Sequence, residues 1–167
     1  ERKSMTKVLI TGGAGYIGSH TTLVLLEAGF EVVVIDNFSN SSKIALDRVA
    51  KLSGKEPITV EGDITDREKV RGIFDQHPEI SSVVHFAALK AVGESTKFPL
   101  QYYRNNVTGS IVLMEEMLRA GVKNLVFSSS CTVYGEPGKV PISEEFPTGA
   151  VSSPYGRTKF MMESIIE

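Results

Sequence analysis

Short, uninterrupted apolar runs alternate along the chain with segments whose apolar residues recur at helical spacing. The runs are "KVLIT" (Lys7–Thr11), "EVVVID" (Glu31–Asp36), "ITVEGD" (Ile58–Asp63), "SVVHFAA" (Ser82–Ala88) and "NLVFSSS" (Asn124–Ser130). Their lack of polar alternation predicts strands covered on both faces. Between them, Ile17, Val24, Leu25 and Ala28 predict one face of a helix that ends at Gly29, the C′ residue. A polar loop, "NFSNSS", leads to a helix around Ala45–Leu52, and Thr65-Asp66-Arg67-Glu68 reads as a capping box opening a helix towards Gln76. Val107, Ile111, Met114 and Leu118 mark a long helix closed by Gly121, and a last helix starts near Ser153-Pro154. Strand–helix alternation of this kind predicts an α/β fold, a doubly wound parallel sheet of Rossmann type. The chain stops in or just after that last helix, so it reads as cut short.

Composition adds limits. With 167 residues, 41% hydrophobic and 23% charged, the chain suits one well-buried globular domain over 1–167. Residues 1–5, "ERKS" and Met5, read as a tag remnant or short extension. A net charge of -2 gives no reason to expect nucleic acid or an anionic membrane as partner. Cys131 is the sole cysteine, so no intrachain disulfide forms and a reducing cytoplasm is the expected compartment. No apolar run approaches the ~20 residues that span a bilayer. His20, His77 and His85 show no ligand spacing, and no metal is expected.

Candidate chemistry starts with "TGGAGYIG" (Thr11–Gly18), which follows the first strand and opens the first helix. Such a turn turns backbone N–H groups and the positive end of the helix dipole towards an anion, and its glycines let a pyrophosphate approach. Counting from Gly13 gives Gly13, Gly15, Gly18; counting from Gly12 gives Gly12, Gly15, Gly18. Asp36 ends the second strand, where a carboxylate accepts hydrogen bonds from an adenosine ribose and repels a 2′-phosphate. No arginine follows in "NFSNSS", so NAD is preferred over NADP. Asp63 ends the third run and either reaches the adenine or shapes the turn. Downstream, "YGRTK" places Tyr155 and Lys159 at i, i+4 on one helix face, with Ser130 upstream. A lysine ammonium beside a tyrosine hydroxyl favours the phenolate and makes it a usable acid or base, while a serine hydroxyl can bond the same substrate oxygen. A solvated helix face would produce the same Y-x-x-x-K by accident.

"TGGAGYIGSHT", "IDNFSNS", "EGDI", "HFAALKAVGES", "YYRNNVTG", "FSSSCTVYG" and "SPYGRTK" run in one order from Lys7 to the end of the chain. In these the sequence resembles the extended short-chain dehydrogenase/reductase superfamily and, within it, the N-terminal half of the UDP-galactose/UDP-glucose 4-epimerase family. The resemblance favours the count Gly12, Gly15, Gly18 and makes Gly13 a turn residue. It implies a cofactor site for NAD formed by Gly12, Gly15, Tyr16, Ile17 and Gly18, then Asp36, Asn37, Asn40 and Ser41. Asp63 and Ile64 would meet the adenine; Phe86, Ala87, Lys90 and Asn105 would line the middle and nicotinamide side. Ser130, Tyr155 and Lys159 would be the catalytic group, Ser130 and Tyr155 would touch the UDP-hexose, and Lys159 would also hold the nicotinamide ribose. A homodimer and a C-terminal substrate domain outside this chain are further implications. Two positions depart from the family pattern: Ala88 stands where glycine is usual and Cys131 where alanine is usual.

Other readings compete. Sugar-nucleotide 4,6-dehydratases also oxidise C4 but carry Asp-Glu just before "VYG", where this chain has Cys131 and Thr132. A glucuronate-type epimerase or decarboxylase is disfavoured by "LKAVGES". A hydrolase is disfavoured because the serine run lacks a G-x-S-x-G elbow. Cys131 with His85 as a thiol nucleophile and base gives way to a small buried cysteine and a strand histidine with a satisfied hydrogen bond. A non-catalytic NAD-binding fragment is the alternative from another class.

Overall fold

The computed structural model describes residues 6–167; residues 1–5, read above as a remnant or extension, lie outside the described residues. The chain forms two compact units, one of the residues up to Ala87 with Val112–Ser128, the other of Ala88–Ile111 with Ser129–Glu167.

The first unit carries a five-stranded parallel sheet. Its strands are β1 (Lys7–Thr11), β2 (Glu31–Asp36), β3 (Ile58–Glu61), β4 (Ile80–His85) and β5 (Asn124–Phe127), in the order β3-β2-β1-β4-β5. Leu9 sits between Val33 and Val83 in register, and the strand order reverses between β1 and β4. Its helices are α1 (Tyr16–Glu27), α2 (Lys43–Ser53) and α3 (Arg67–Gln76). Alternate residues of the apolar runs serve opposite faces. Leu9, Val33, Ile35 and Val83 pack with Val70, Ile73 and Phe74 of α3 and with Leu113 and Met117. Val8, Ile10, Val32 and Val34 pack with Leu26 of α1 and with Leu46 and Val49 of α2. Both faces being covered is why β1 and β2 needed no polar alternation.

The second unit contains α4 (Val92–Lys97), α5 (Pro99–Tyr102), a π-helical turn (Tyr103–Thr108), a short 3-10 turn (Cys131–Tyr134) and α7 (Pro154–Ile166). Helix α6 (Gly109–Arg119) begins there and continues into the first unit. Ser153 caps α7 by accepting from the Gly156 N–H at 3.1 Å, with Pro154 at the first helical position. No described helix is long and apolar enough to cross a membrane.

The five strands and the helices between them follow the sequence expectation, with differences in detail. β3 and β5 end before the Gly62-Asp63 and Ser128–Ser130 tails assigned to them, β4 begins at Ile80 and ends before Phe86-Ala87-Ala88, and α4 and α5 were not foreseen. The buried stripe of α1 is Gly18, Thr22 and Leu26, whereas Ile17 and Val24 lie 58% and 60% exposed. A glycine and a threonine carry no hydrophobic signal, yet their small size lets α1 lie close to the loop before it. The cap of α3 is Asp66, whose side chain accepts from the Lys69 N–H, and Thr65 instead binds Asp63. Helix α6 buries Val112, Leu113, Glu116 and Met117 while Leu118 is exposed. The π turn adds a residue before α6, so a 3.6-residue period carried through Val107 arrives out of phase.

Candidate functional site

In the first unit the chemistry gathers at the carboxyl ends of β1, β2 and β4. Gly12 leaves β1 with φ +70°, and a Cβ there would lie 2.8 Å from the Ala87 nitrogen just beyond β4. A side chain at Gly18 would collide with the Gly12 carbonyl oxygen, so the first turn of α1 can close on the loop only with glycine there. Gly15 is the N-cap residue of α1 and has no side chain to cap it, so the first-turn N–H groups keep their donors for a ligand. A Cβ on Gly15 would meet nothing nearer than the Gly12 oxygen at 3.3 Å. Gly13 has its own constraint: a Cβ would lie 2.6 Å from a methyl of Val34. The donor set at this helix end, free of acidic side chains in its first turn, fits a pyrophosphate. Tyr16 and Ile17 stand exposed beside it, Tyr16 tilted against the His20 ring at 4.9 Å.

Asp36 is 8% exposed and does more than end β2. Its Oδ2 accepts the Ala14 N–H at 2.9 Å, and its Oδ1 accepts the Phe38 N–H at 2.9 Å and the Ser41 hydroxyl at 2.8 Å. The carboxylate therefore ties the glycine loop to the loop after β2 and retains on Oδ2 room for one further donor. Asn37 donates to Asp63 at 2.7 Å, and Asp63 also accepts the N–H and hydroxyl of Thr65. Burial works to raise the Asp63 pKa, but the Thr65 and Asn37 donors outweigh it and hold the carboxyl below its ordinary value. Asp63 thus shapes the turn and fixes Asn37. Ile64 is buried in the core at 4% exposure, so only its main chain faces outward chemistry. Asn40 is exposed, and Phe86 is half-buried against the α1–α2 side of the sheet.

Thr11, which the sequence reading assigned no role at the site, completes this end. The Thr11 hydroxyl accepts the Ala87 N–H at 3.1 Å and lies 2.5 Å from His85 Nδ1. The Thr11 hydroxyl thus ties the His85 ring and the Ala87 N–H to the end of β1. His85, 3% exposed, is the hydrogen-bonded strand histidine expected above.

In the second unit, α7 presents Tyr155 half-buried and Lys159 one turn later at 5% exposure. Burial pushes the Lys159 ammonium down to about 8. Lys159 is therefore no residue of a solvated face. Asn106, 3% exposed, accepts from the Leu89 N–H and Asn105 and donates to the Leu89 carbonyl and the Thr158 hydroxyl, which in turn donates to the Tyr155 carbonyl at 2.7 Å. All four capacities of that amide are used, and they hold the segment after β4 against α7. Lys90 is exposed and Asn105 half-buried beside this clamp. Tyr102, fully buried, donates to Glu94 at 2.6 Å, and burial pushes its phenol up to about 12.

Ser130 caps the 3-10 turn, and its Oγ accepts both the N–H and the hydroxyl of Thr132. Ser129 donates to Glu163 of α7 at 2.5 Å. Cys131 is exposed, not buried as expected, because Val133 takes the buried position of this turn.

A family model, the NAD dependent epimerase/dehydratase family, matches residues 8–167, and the chain belongs to that family. It is 55% identical over 159 residues to the UDP-glucose 4-epimerase of Erwinia amylovora, covering 95% of this chain and 47% of that protein. It is 56% identical over 159 residues to the same enzyme of Bacillus subtilis, covering 95% and 46%. Among solved structures, UDP-glucose 4-epimerase from Bifidobacterium longum in complex with NAD+ and UDP matches with a TM-score of 0.94 and 46% identity, over 96% of this chain and 48% of that one. The chain thus spans about half the length of the relatives it matches.

Proposed function

We propose that this chain is the nucleotide-binding and catalytic-helix portion of an NAD-dependent UDP-glucose 4-epimerase, acting on UDP-galactose and UDP-glucose. The observation that carries the reading is the burial of Lys159 one helical turn beyond Tyr155, at 5% exposure. An ammonium is costly to bury without a purpose, and a chance Y-x-x-x-K on a solvated face would leave it in water. Its pKa of about 8 keeps it mostly charged at neutral pH, as support of a phenolate requires.

The residues divide the work. The first-turn N–H groups of α1 hold the pyrophosphate, Asp36 accepts one adenosine hydroxyl, and Asn37, Asn40, Ser41, Asp63 and the Ile64 main chain border the adenosine. Phe86, Ala87, Lys90 and Asn105 border the remainder of the cofactor, and Lys159 also holds its nicotinamide ribose. NAD, when bound, supplies a reversible hydride acceptor for C4 of the sugar. Tyr155, as phenolate, takes the proton of the sugar 4-hydroxyl and later returns it. Ser130 donates a hydrogen bond to the same oxygen. Net redox is zero, since the sugar leaves at its starting oxidation state. Cys131 and Thr132 supply no carboxylate for a dehydration, so elimination of water is not part of the cycle.

The test is conversion of UDP-galactose to UDP-glucose, using the protein with whatever its gene encodes after Glu167. Turnover is expected, and Tyr155→Phe is expected to abolish it while NAD stays bound. NAD binding without any turnover in the parent protein would instead favour a binding module; an unchanged rate in Tyr155→Phe would remove Tyr155 as the base.

A further inference from the structure

The oxygen that Ser130 must serve is, once C4 is oxidised, a pure acceptor. A free serine hydroxyl both donates and accepts, and in the starting complex it would compete with Tyr155 for the proton of the sugar 4-hydroxyl. Here Ser130 is not free. Its Oγ accepts the Thr132 backbone N–H at 3.2 Å and the Thr132 hydroxyl at 3.0 Å. A serine oxygen has two acceptor sites, and Thr132 fills both.

We propose that Thr132 is a positioning residue for the reaction: by occupying both acceptor sites of Ser130 it leaves that hydroxyl only its proton, so Ser130 acts solely as a donor to the sugar oxygen. A second contact holds Thr132 in that role. A Cβ built on Gly156 would stand 3.1 Å from the Thr132 hydroxyl oxygen and 3.2 Å from its Cβ. Thr132 therefore shares with a Val151 methyl, which would stand 2.6 Å from the Gly156 Cβ, the space that glycine leaves on α7 in the residue directly after Tyr155. Its β-branched side chain has few rotamers to begin with, and this packing selects among them. One residue thus sets both the polarity of Ser130 and its seat against the start of the helix that carries Tyr155.

The inference rests on the epimerase reading above. Thr132→Val keeps the branched shape and removes the hydroxyl; Thr132→Ser keeps the hydroxyl and removes the methyl. In the UDP-galactose assay on the full protein, Thr132→Val should lower kcat about tenfold, the loss that one hydrogen bond of ordinary net worth produces. KM and bound NAD should stay within about twofold, and Thr132→Ser should keep most of the wild-type kcat. In a Ser130→Ala background, Thr132→Val should cost nothing more, because no serine remains to polarise. Equal losses in the two Thr132 variants, a Thr132→Val rate within twofold of wild type, or a full further loss in the Ser130→Ala background would each overturn the proposal. Should Thr132→Val fail to fold, Thr132→Ser decides alone: a tenfold fall in its kcat overturns the proposal, and retained kcat upholds it. No turnover in the wild-type protein would refute the epimerase reading itself, a result distinct from all of these.

Discussion

Replacing Asp36 by asparagine separates two jobs that one carboxylate performs. The native side chain accepts three hydrogen bonds, from the Ala14 N–H, the Phe38 N–H and the Ser41 hydroxyl. An amide of the same shape has one acceptor oxygen. If that oxygen stays with Phe38 and Ser41, the new NH2 faces the Ala14 N–H, donor against donor, in a site where Ala14 is 4% exposed. The opposite flip strands two donors instead of one. Leaving a single buried N–H unsatisfied costs about 1–3 kcal/mol, so the better flip destabilises the protein by about 2 kcal/mol. For a domain of this size that lowers Tm by about 4–8 °C. NAD affinity should fall by more than about tenfold, because the loop that presents the α1 N–H groups loses its tie and the ribose loses a charged acceptor. The preference for NAD over NADP should narrow, since the negative charge that repels a 2′-phosphate is gone. Thermal unfolding and calorimetric titration with both nucleotides measure these effects. A variant with Tm within 1 °C of wild type, or with unchanged NAD affinity, would refute the assignment of Asp36 to both roles.

Two further tests read pH. Glu116, its side chain 2% exposed, is held by Arg71, Arg119 and Arg67, which lower its carboxyl to about 2. The folded pKa lies below the ordinary glutamate value of 4.5, so the stabilisation is complete above 4.5 and is lost as pH falls towards 2. Glu116→Gln should cost about 2 kcal/mol at pH 7, discounted because the guanidinium groups are partly exposed, and the deficit should shrink between pH 5 and 3 in urea titrations; a pH-independent deficit would contradict the account. Lys159 shows the same slope in a higher window, from a cost and not a gain: with a folded pKa of about 8 against 10.5, the unfolded chain holds the extra proton, and stability rises with pH between those values. Wild type should gain up to about 3 kcal/mol on Lys159→Met from pH 8 to 10.5, and parallel stability curves for the two proteins would refute the burial cost.

The elements that sequence made legible are those whose physics has a fixed spacing. The apolar runs of β1 and β2 were legible because cover on both faces removes polar residues from both, whereas the edge strands β3 and β5 are largely exposed; Gly12 and Gly18 stood out because a helix start against a strand end excludes side chains there. Tyr155 and Lys159 were visible as one helical turn, and Asp36 as the acid ending the second strand. What stayed hidden depends on tertiary partners. Nothing in "GGAG" announces that the Ala14 N–H belongs to Asp36, nor that Thr11 orients His85 and the Ala87 N–H. Asn106 lies beside the expected Asn105, yet its four partners come from the segment after β4, the π turn and α7. Thr65 matched the capping pattern, but Asp63 claimed its hydroxyl and left Asp66 to cap α3.

The same local geometry explains how one turn of backbone can serve different chemistries. The Thr132 N–H binds Ser130 whatever side chain follows it, because the 3-10 turn alone makes that bond. The second acceptor site of Ser130 depends on the side chain at position 132. A threonine hydroxyl fills it with a donor. A carboxylate at that position, as in the sugar-nucleotide dehydratase pattern, has no proton to give near neutral pH and would itself attract the serine proton. Ser130 would then turn its hydrogen towards the carboxylate and offer the sugar a lone pair. Position 132 therefore sets both whether the site holds an extra acid or base and which way the neighbouring hydroxyl is polarised. In the epimerase cycle proposed above, Ser130 would have to donate throughout as the sugar oxygen alternates between hydroxyl and carbonyl, and threonine would meet that need without adding a group that titrates. Two requirements, no second proton carrier and a donor-only serine, thus converge on one small β-branched hydroxyl residue packed against Gly156.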